Sequence, residues 1–198
     1  SLTRLDSHAT SPIVGCNCTI IHDTGRTASV WGFAKELKQL QGIRIVDALV
    51  AYDCPYTQQT VMLVIHNAYF VPSKLDNLIP PFLIREAGIT VNDVPKIHCT
   101  NPTDAHHSIY FDEIKLRIPL QLRGIVSCFP SRKPEGEVEI EATSQVDLTP
   151  NREFWDPNDD TFQRQEESFI DHEGRCIDKG LTTRYIAATV DGDEAHRT

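Results

Sequence analysis

The chain has 198 residues, of which 40% are hydrophobic and 24% charged, so it has room for one sizeable domain with extensions or for two small domains. Its formal net charge of -9, with no cluster of Lys and Arg, argues against broad contact with nucleic acid or anionic membranes. The longest apolar run, residues 61–65, is shorter than a membrane span, and the polar start of the sequence predicts no signal peptide. The six cysteines lack a CxxC pair, which favours reduced intracellular thiols.

Strand patterns dominate the first part of the sequence. Residues 12–22 are typical of a strand, and a run rich in β-branched residues begins at Ile43. Residues 53–56 form a turn because Asp and Pro favour that geometry, and residues 61–71 are typical of a returning strand. The two runs therefore predict a long hairpin.

A short helix and further strands are expected next. The pair Pro80-Pro81 suits the start of a helix, and Gly88 ends it. Strict alternation over residues 116–122 predicts a half-buried strand, at an edge because it contains Pro119. Residues 125–129 are expected to pair back on that strand.

The composition changes after Pro130. Residues 131–160 are rich in Glu, Asp, Pro, Ser and Thr, which predicts a linker or a weakly ordered spacer. One further helix is predicted from Thr161 to about His172, and the last 20 residues are expected to be loosely ordered.

One short segment near the start carries a pattern with chemical meaning. Leu5 is followed by Asp6, Ser7, His8 and Ala9. This segment resembles the signature of retropepsin-type aspartic proteases, a hydrophobic residue followed by Asp-Ser/Thr-Gly-Ala. The third position therefore holds His instead of Gly. A surface turn before a strand is the alternative interpretation, because Asp and Ser are common in turns.

A second pattern follows about 70 residues later. Residues 69–72 read Tyr-Phe-Val-Pro, and Leu75 begins a Leu-Asp-Asn-Leu-Ile stretch that ends at Ile79. Together with the tetrad at Asp6, this order and spacing resemble the protease region of copia-type retrotransposon polyproteins. The resemblance implies that Asn77, Leu78 and Ile79 form the element that supports the catalytic loop from behind and leads into the single helix. The sequence around Trp155 is similar to the region that follows the protease in a group of microbial retrotransposon polyproteins.

The resemblance also implies a mechanism. Two carboxylates about 3 Å apart share one proton, so that one activates water and the other acts as an acid. The chain contains no second copy of the tetrad, so Asp6 would have to meet the Asp6 of a partner in a symmetric homodimer. Ser7 would brace the loop, and Ala9 would allow close packing. No cofactor or metal is required.

Two interpretations of His8 remain open. Gly is permissive in its backbone angles and presents its N–H near the catalytic carboxylates, and His enters unusual φ regions more readily than β-branched residues. The imidazole either contacts the carboxylate pair or points harmlessly outward.

The resemblance places a flap, a hairpin that closes over the substrate, between residues 30 and 43. Its candidate residues are Trp31, Gly32, Phe33 and Gly42. Closure of such a hairpin excludes water and positions the peptide.

Competing sites are less well supported by spacing. His98 and Cys99 with His106 and His107 match no zinc-binding pattern, so no metal site is predicted. Cys16 and Cys18 are interpreted as small residues on one face of a strand.

These observations predict a mainly β fold. Residues 1–95 would form a retropepsin-like closed β-barrel with one short helix, residues 96–134 a small β-rich extension, and residues 135–198 a linker with one short helix. The expected function is aspartic endopeptidase processing of a retrotransposon gag-pol polyprotein. The expected partners are this polypeptide substrate and a second copy of the chain, without direct nucleic-acid or membrane binding, in the cytoplasm or within a virus-like particle. The alternatives are an inactive interaction module with the same fold and a structural spacer of the polyprotein.

Overall fold

The predicted long hairpin is the central feature of the structure, a computed structural model that describes residues 1–30 and 40–177. Its strands β4 and β5 pair from Ile45 opposite Tyr69 down to Asp53 opposite Thr60. The strands among the described residues are β1 (Leu2–Leu5), β2 (Ile13–Val14), β3 (Thr19–Val30), β4 (Leu40–Asp53), β5 (Thr60–Phe70), β6 (Asn77–Ile79), β7 (Thr90–Asp93), β8 (His107–Phe111), β9 (Leu116–Pro119), β10 (Gln121–Arg123), β11 (Val126–Pro130) and β12 (Gln145–Asp147). The helices are α1 (Pro81–Glu86), α2 (Glu137–Ala142) and α3 (Thr161–Glu167), with 3-10 turns at Lys96–His98 and Asp104–His106.

Most strands belong to one mixed sheet. Its order is β10-β11-β1-β6-β2-β5-β4-β3, and β12 pairs in parallel with β5. The end strands β3 and β10 do not pair with each other, so the sheet of the described residues stays open. The mainly β class is confirmed, but the expectation of a closed barrel is wrong, because closure requires the first and last strands to share hydrogen bonds.

The hairpin is buried on both faces, which explains its nearly continuous apolar sequence. On one face Val46, Ala48 and Val50 contribute to the main core. On the other face Leu49 and Met62 belong to a smaller cluster that the side chain of Ile140 covers.

A second sheet, β7-β8-β9, packs against the main core. Ile109 of β8 and Ile118 of β9 are completely buried in the main core. Pro119 ends the edge strand β9, where its missing N–H removes no ladder bond, as the sequence predicts.

Elements beyond the predicted boundary at residue 95 return to the main sheet. β11 pairs with β1, and β12 pairs with β5 inside the segment interpreted as a spacer. The chain divides into two compact units, Ser1–Trp155 and Asp156–Thr198. In the described part of the second unit, α3 begins at Thr161, as expected, and ends at Glu167.

No helix among residues 1–30 and 40–177 is both long enough and apolar enough to cross a bilayer. All six cysteines are free thiols.

Candidate functional site: the loop of Asp6

The loop that carries Asp6 begins directly after β1. The backbone N–H of Asp6 donates to the carbonyl oxygen of Ile79 at 3.1 Å, and the carboxylate oxygen Oδ1 accepts the backbone N–H of His8 at 2.9 Å. This second bond is the local turn that Asp side chains favour. The side chain of Asp6 keeps 37% exposure, so its carboxylate is fixed at one oxygen and accessible to another molecule.

His8 requires no glycine-like backbone at its position. Its φ angle is not positive, and its side chain is 96% exposed. The imidazole Nδ1 lies 4.0 Å from Oδ1 of Asp6 and 3.4 Å from the hydroxyl of Ser7. The imidazole therefore lies at the exposed side of the loop, next to the carboxylate but without a hydrogen bond to it, and the backbone N–H of His8 is the group that donates to this carboxylate.

The strand β6 passes between the two arms of this loop. It pairs in parallel with β1, with Leu5 opposite Ile79, and antiparallel to β2, with Ile13 opposite Leu78. Leu78 is half-buried and Ile79 is completely buried. The three residues Asn77–Ile79 thus lie side by side with the chain that enters and the chain that leaves the Asp6 loop.

Asn77 connects both neighbours of β6 through its buried side chain. Its Oδ1 accepts the backbone N–H of Gly15 at 3.0 Å, and its Nδ2 donates to the hydroxyl of Thr3 at 3.3 Å. Asn77 and Thr3 are fully buried, and the Thr3 hydroxyl also contacts that of Ser131 at 2.8 Å. Because buried amides need such partners, Asn is suited to this position and an apolar residue is not.

Close approach of the backbone explains the glycine that follows β2. A Cβ atom on Gly15 would lie 2.3 Å from the carbonyl oxygen of Lys74, in the turn before β6. Any side chain would push this turn away from β2.

An ion pair anchors the other side of the same turn. Arg4 of β1 contacts the carboxylate of Asp76 at 2.7 Å, and the backbone N–H of Leu2 donates to it at 3.1 Å. Burial raises the pKa of Asp76, but the hydrogen bonds from Arg4 and Leu2 outweigh it, and the pKa lies below its ordinary value of 3.8.

The helix α1 follows β6 at once, as expected from the twin prolines. Pro81 occupies its first turn, where a missing N–H costs nothing, and Gly88 follows it with φ of +80°. Leu83 and Ile84 are buried, so this short helix holds the end of β6 against the core.

The predicted flap between residues 30 and 43 falls mostly outside the described residues, and the strands β3 and β4 that flank it pair with each other. Of the candidate flap residues, Trp31, Gly32 and Phe33 lie outside the described residues. Gly42 lies in β4 with φ of +65°, a conformation that favours glycine.

A segment from later in the chain reaches the Asp6 loop, which was not predicted from the sequence. Leu148 and Thr149 are buried, although they fall in the polar stretch interpreted as a spacer. The following residues continue to Trp155, whose indole N–H donates to the carbonyl oxygen of Thr10 at 2.9 Å. We call residues 148–155 the strap. The strap could not be predicted from the pattern of apolar residues, because it has few of them and its contacts are mainly hydrogen bonds.

A buried histidine lies where the strap meets the hairpin. His66 is 9% exposed and is hydrogen-bonded through Nε2 to Asp147 at 2.8 Å. Its Nδ1 lies 3.4 Å from Asp47, which also accepts the backbone N–H of Asn67 at 2.9 Å. Asn67 adopts φ of +52° in the middle of β5, a bulge that turns its amide toward the strap.

An open cavity of about 640 Å³ lies between the strap and the strands β3, β4 and β5. Its lining is mixed in charge and polarity and comprises His22, Thr24, Arg26, Asp47, Asn67, Asn151, Arg152, Glu153 and Phe154. Arg26 donates to Asn67 at 2.6 Å and its guanidinium lies over the ring of Phe154, so the cavity wall is itself held by polar contacts.

The described residues contain no group of three or more His, Cys, Asp or Glu arranged to bind a metal ion. His107 is instead buried against Ser127, with Nε2 at 2.8 Å from its hydroxyl, and burial lowers the pKa of His107. His106 contacts Thr103 within a 3-10 turn.

The chain supplies one Asp-Ser-His-Ala loop, so a second carboxylate of the same kind would come from another copy. Comparisons of the chain with models of known protein families, with curated protein sequences and with solved structures gave no match.

Proposed function

We propose that the chain is an aspartic endopeptidase of the retropepsin-like class. It would act as a homodimer in which each subunit contributes Asp6. The substrate would be the retrotransposon gag-pol polyprotein that contains the chain, as the resemblance to copia-type proteases implies.

The observation that carries this proposal is the position of β6 between the two arms of the Asp6 loop. A catalytic carboxylate has to be held rigidly and still be open to substrate. The backbone bond from Asp6 to Ile79 and the buried amide of Asn77 provide the rigid part. The exposed part of the Asp6 carboxylate provides the access.

The chemistry follows from two such carboxylates at one two-fold axis. One takes a proton from water as the water oxygen attacks the peptide carbonyl carbon, and the other gives its proton to the carbonyl oxygen. Collapse of the tetrahedral intermediate then breaks the C–N bond. The nitrogen leaves with the proton that the first carboxylate took from water, and the second carboxylate regains a proton from a hydroxyl of the intermediate. The exposed hydroxyl of Ser7 would reach across this axis and brace the loop.

The dimer contact would have to use surfaces other than the edges of β1. That strand is already paired on both sides, with β6 on one side and β11 on the other. The exposed side of the Asp6 loop, formed by Ser7 and His8, is the surface that must meet its symmetry mate for the two carboxylates to approach.

The pairing of β1 on both of its edges favours one alternative, a catalytically inactive interaction module with this fold. A subunit whose β1 has no free edge lacks the simplest strand-mediated dimer contact, and an exposed imidazole stands where retropepsins have glycine. In this alternative the Asp6 loop is a structural turn.

An assay of polyprotein cleavage distinguishes the protease from the inactive interaction module. We expect Asp6→Asn and Asp6→Ala each to abolish processing, because neither side chain can activate water. Asp6→Asn is the more informative change, since it preserves size and the bond from the His8 N–H. The readout is the appearance of cleavage products after expression of the polyprotein.

His8→Gly serves as the matched comparison in the same assay. Processing by the natural chain that is lost with Asp6→Asn and retained with His8→Gly supports the protease. Identical processing by the natural and Asp6→Asn chains rejects it. No processing by the natural chain, together with processing by His8→Gly, identifies the inactive module.

A further inference from the structure

The strap is hydrogen-bonded to β5 along most of its length. The backbone N–H of Leu148 donates to Val64 at 2.8 Å, and the hydroxyl of Thr149 accepts the backbone N–H of His66 at 2.8 Å. The amide of Asn67 donates to the carbonyl oxygen of Arg152 at 2.8 Å. Its course is thus set by β5.

Charged side chains hold the second half of the strap. Arg152 contacts Glu86 of α1 at 3.0 Å. Arg26 of β3 donates to the carbonyl oxygen of Glu153 at 3.1 Å, and its guanidinium lies 5.0 Å from the centre of the Phe154 ring. Together with the bond from Asn67 of β5, these contacts fix the strap just before Trp155 through three separate elements.

The loop that receives the strap has few internal bonds of its own. Between Asp6 and Pro12, the backbone N–H of Ala9 donates to the carbonyl oxygen of Asp6 at 3.3 Å, and the bonds of His8 to the Asp6 carboxylate and the Ser7 hydroxyl also lie before Thr10. The hydroxyl of Ser11 is buried and has no hydrogen-bond partner among residues 1–30 and 40–177. An external contact in the middle of this loop consequently has a large effect on its order.

We propose that Trp155, at the end of the strap, is a positioning residue for Asp6. The inference rests on the proposed protease function. The indole N–H holds the carbonyl oxygen of Thr10, four residues after Asp6, and so restricts the arm of the loop that leads to β2. A loop fixed at both arms presents its carboxylate in one geometry, which raises the rate of the chemical step and not the affinity for substrate.

The test uses the full chain and a fluorogenic peptide that spans a junction mapped in the polyprotein assay. Trp155→Phe removes the indole N–H and keeps an aromatic ring. We expect kcat to fall about three- to tenfold, the range for loss of one neutral hydrogen bond, with KM unchanged within about twofold. Trp155→His, which retains a ring N–H donor, is expected to recover part of kcat.

Phe154→Leu is the matched control, since it removes the ring over Arg26 but leaves in place both the indole and the bond from Arg26 to the carbonyl oxygen of Glu153. It is expected to leave kcat unchanged. Hydrogen exchange of the amides between Ser7 and Ser11 should be faster in Trp155→Phe, with exchange in β4 and β5 unaltered.

The outcomes are distinct for the two proposals. A natural chain that cleaves no peptide overturns the protease and, with it, the positioning role. A natural chain that cleaves while Trp155→Phe has the same kcat overturns the positioning role alone. Equal losses in Trp155→Phe and Phe154→Leu, accompanied by general loss of protection, also overturn it, because they show a purely structural strap.

Discussion

The side chain of Asn77 organises the centre of the candidate site. Its amide oxygen and nitrogen bond to opposite neighbours of β6, the backbone of Gly15 and the hydroxyl of Thr3. Both groups are buried, so water cannot replace the lost partner if the amide is removed. A single amide thereby sets the spacing between the two arms of the Asp6 loop.

We expect Asn77→Ala to lower the free energy of unfolding by about 2–4 kcal/mol, because it leaves a buried N–H without an acceptor and opens a small cavity. Urea unfolding at equilibrium measures this change. Asn151→Ala, at an exposed position in the strap, is the control and should change stability by less than about 0.5 kcal/mol. Equal effects of the two substitutions would show that the Asn77 amide does not hold the two arms of the Asp6 loop together.

Among the elements, α2 is held to the sheet by a charged cluster around Arg132. The guanidinium of Arg132 contacts Asp53 at the end of β4 at 2.7 Å and Glu139 of α2 at 2.5 Å. Its backbone also pairs with Ala51, with bonds of 2.8 and 3.0 Å. The helix α2 has no fully buried residue, so this cluster and the half-buried Ile140 fix its place.

The cluster predicts a pH dependence. Hydrogen bonds from Arg132 hold the pKa of Asp53 below 3.8 and the pKa of Glu139 below 4.5, their ordinary values. The unfolded chain therefore binds more protons near these pH values, so the stabilisation is complete above about pH 5 and is lost as the pH falls through the lowered values.

We expect Arg132→Ala to cost about 1 kcal/mol at pH 7 and to flatten the loss of stability between pH 5 and pH 3. Urea unfolding over this pH range measures both effects. Lys133→Ala removes a neighbouring exposed cation and should keep the natural pH profile. A profile unchanged by Arg132→Ala would contradict the assignment of this acid sensitivity to Asp53 and Glu139.

Elements with strong local patterns were predicted from the sequence. The apolar run at residues 61–65 lies in β5, and the Pro80-Pro81 pair lies at the start of α1, because these signals arise from the residues themselves. The strand β12 carried no such signal. It has one half-buried apolar residue, Val146, and exists because residues 62–64 of β5 offer it an open edge.

The candidate site, too, was predicted only in part from the sequence. The tetrad at Asp6 and the Asn77–Ile79 stretch were identified as motifs in the sequence, and the structure brings them together through β1 and β6. The contact of Trp155 with Thr10 joins residues 145 positions apart, and no local pattern indicates such a contact. The role of His8 was likewise undetermined, because it depends on a φ angle and on exposure.

At the scale of the whole molecule, two strands from the later part of the first unit complete the main sheet. β11 covers the outer edge of β1, and Phe129 within it is completely buried against Tyr52, with ring centres 6.0 Å apart. β12 covers β5, and Leu148 after it is completely buried in the main core. The first 95 residues therefore leave two strand edges and part of the core unfilled.

A chain truncated after Pro95 is expected not to fold. Loss of a buried Phe side chain costs about 3–5 kcal/mol and loss of a buried Leu about 2–5 kcal/mol, which together rival the 5–15 kcal/mol of a typical domain. The uncovered edge of β1 would also favour aggregation. Circular dichroism, urea unfolding and gel filtration of the purified truncated chain measure these outcomes.

A chain ending at Trp155 is the matched control and is expected to unfold cooperatively, because it retains β11, β12 and the strap in one compact unit. If the chain ending at Pro95 unfolds with the same midpoint as this control, then β11 and β12 are accessory to the sheet, and the strap is not needed to order the Asp6 loop. If only the longer chain folds, the smallest folded form of the proposed protease extends beyond the boundary predicted at residue 95.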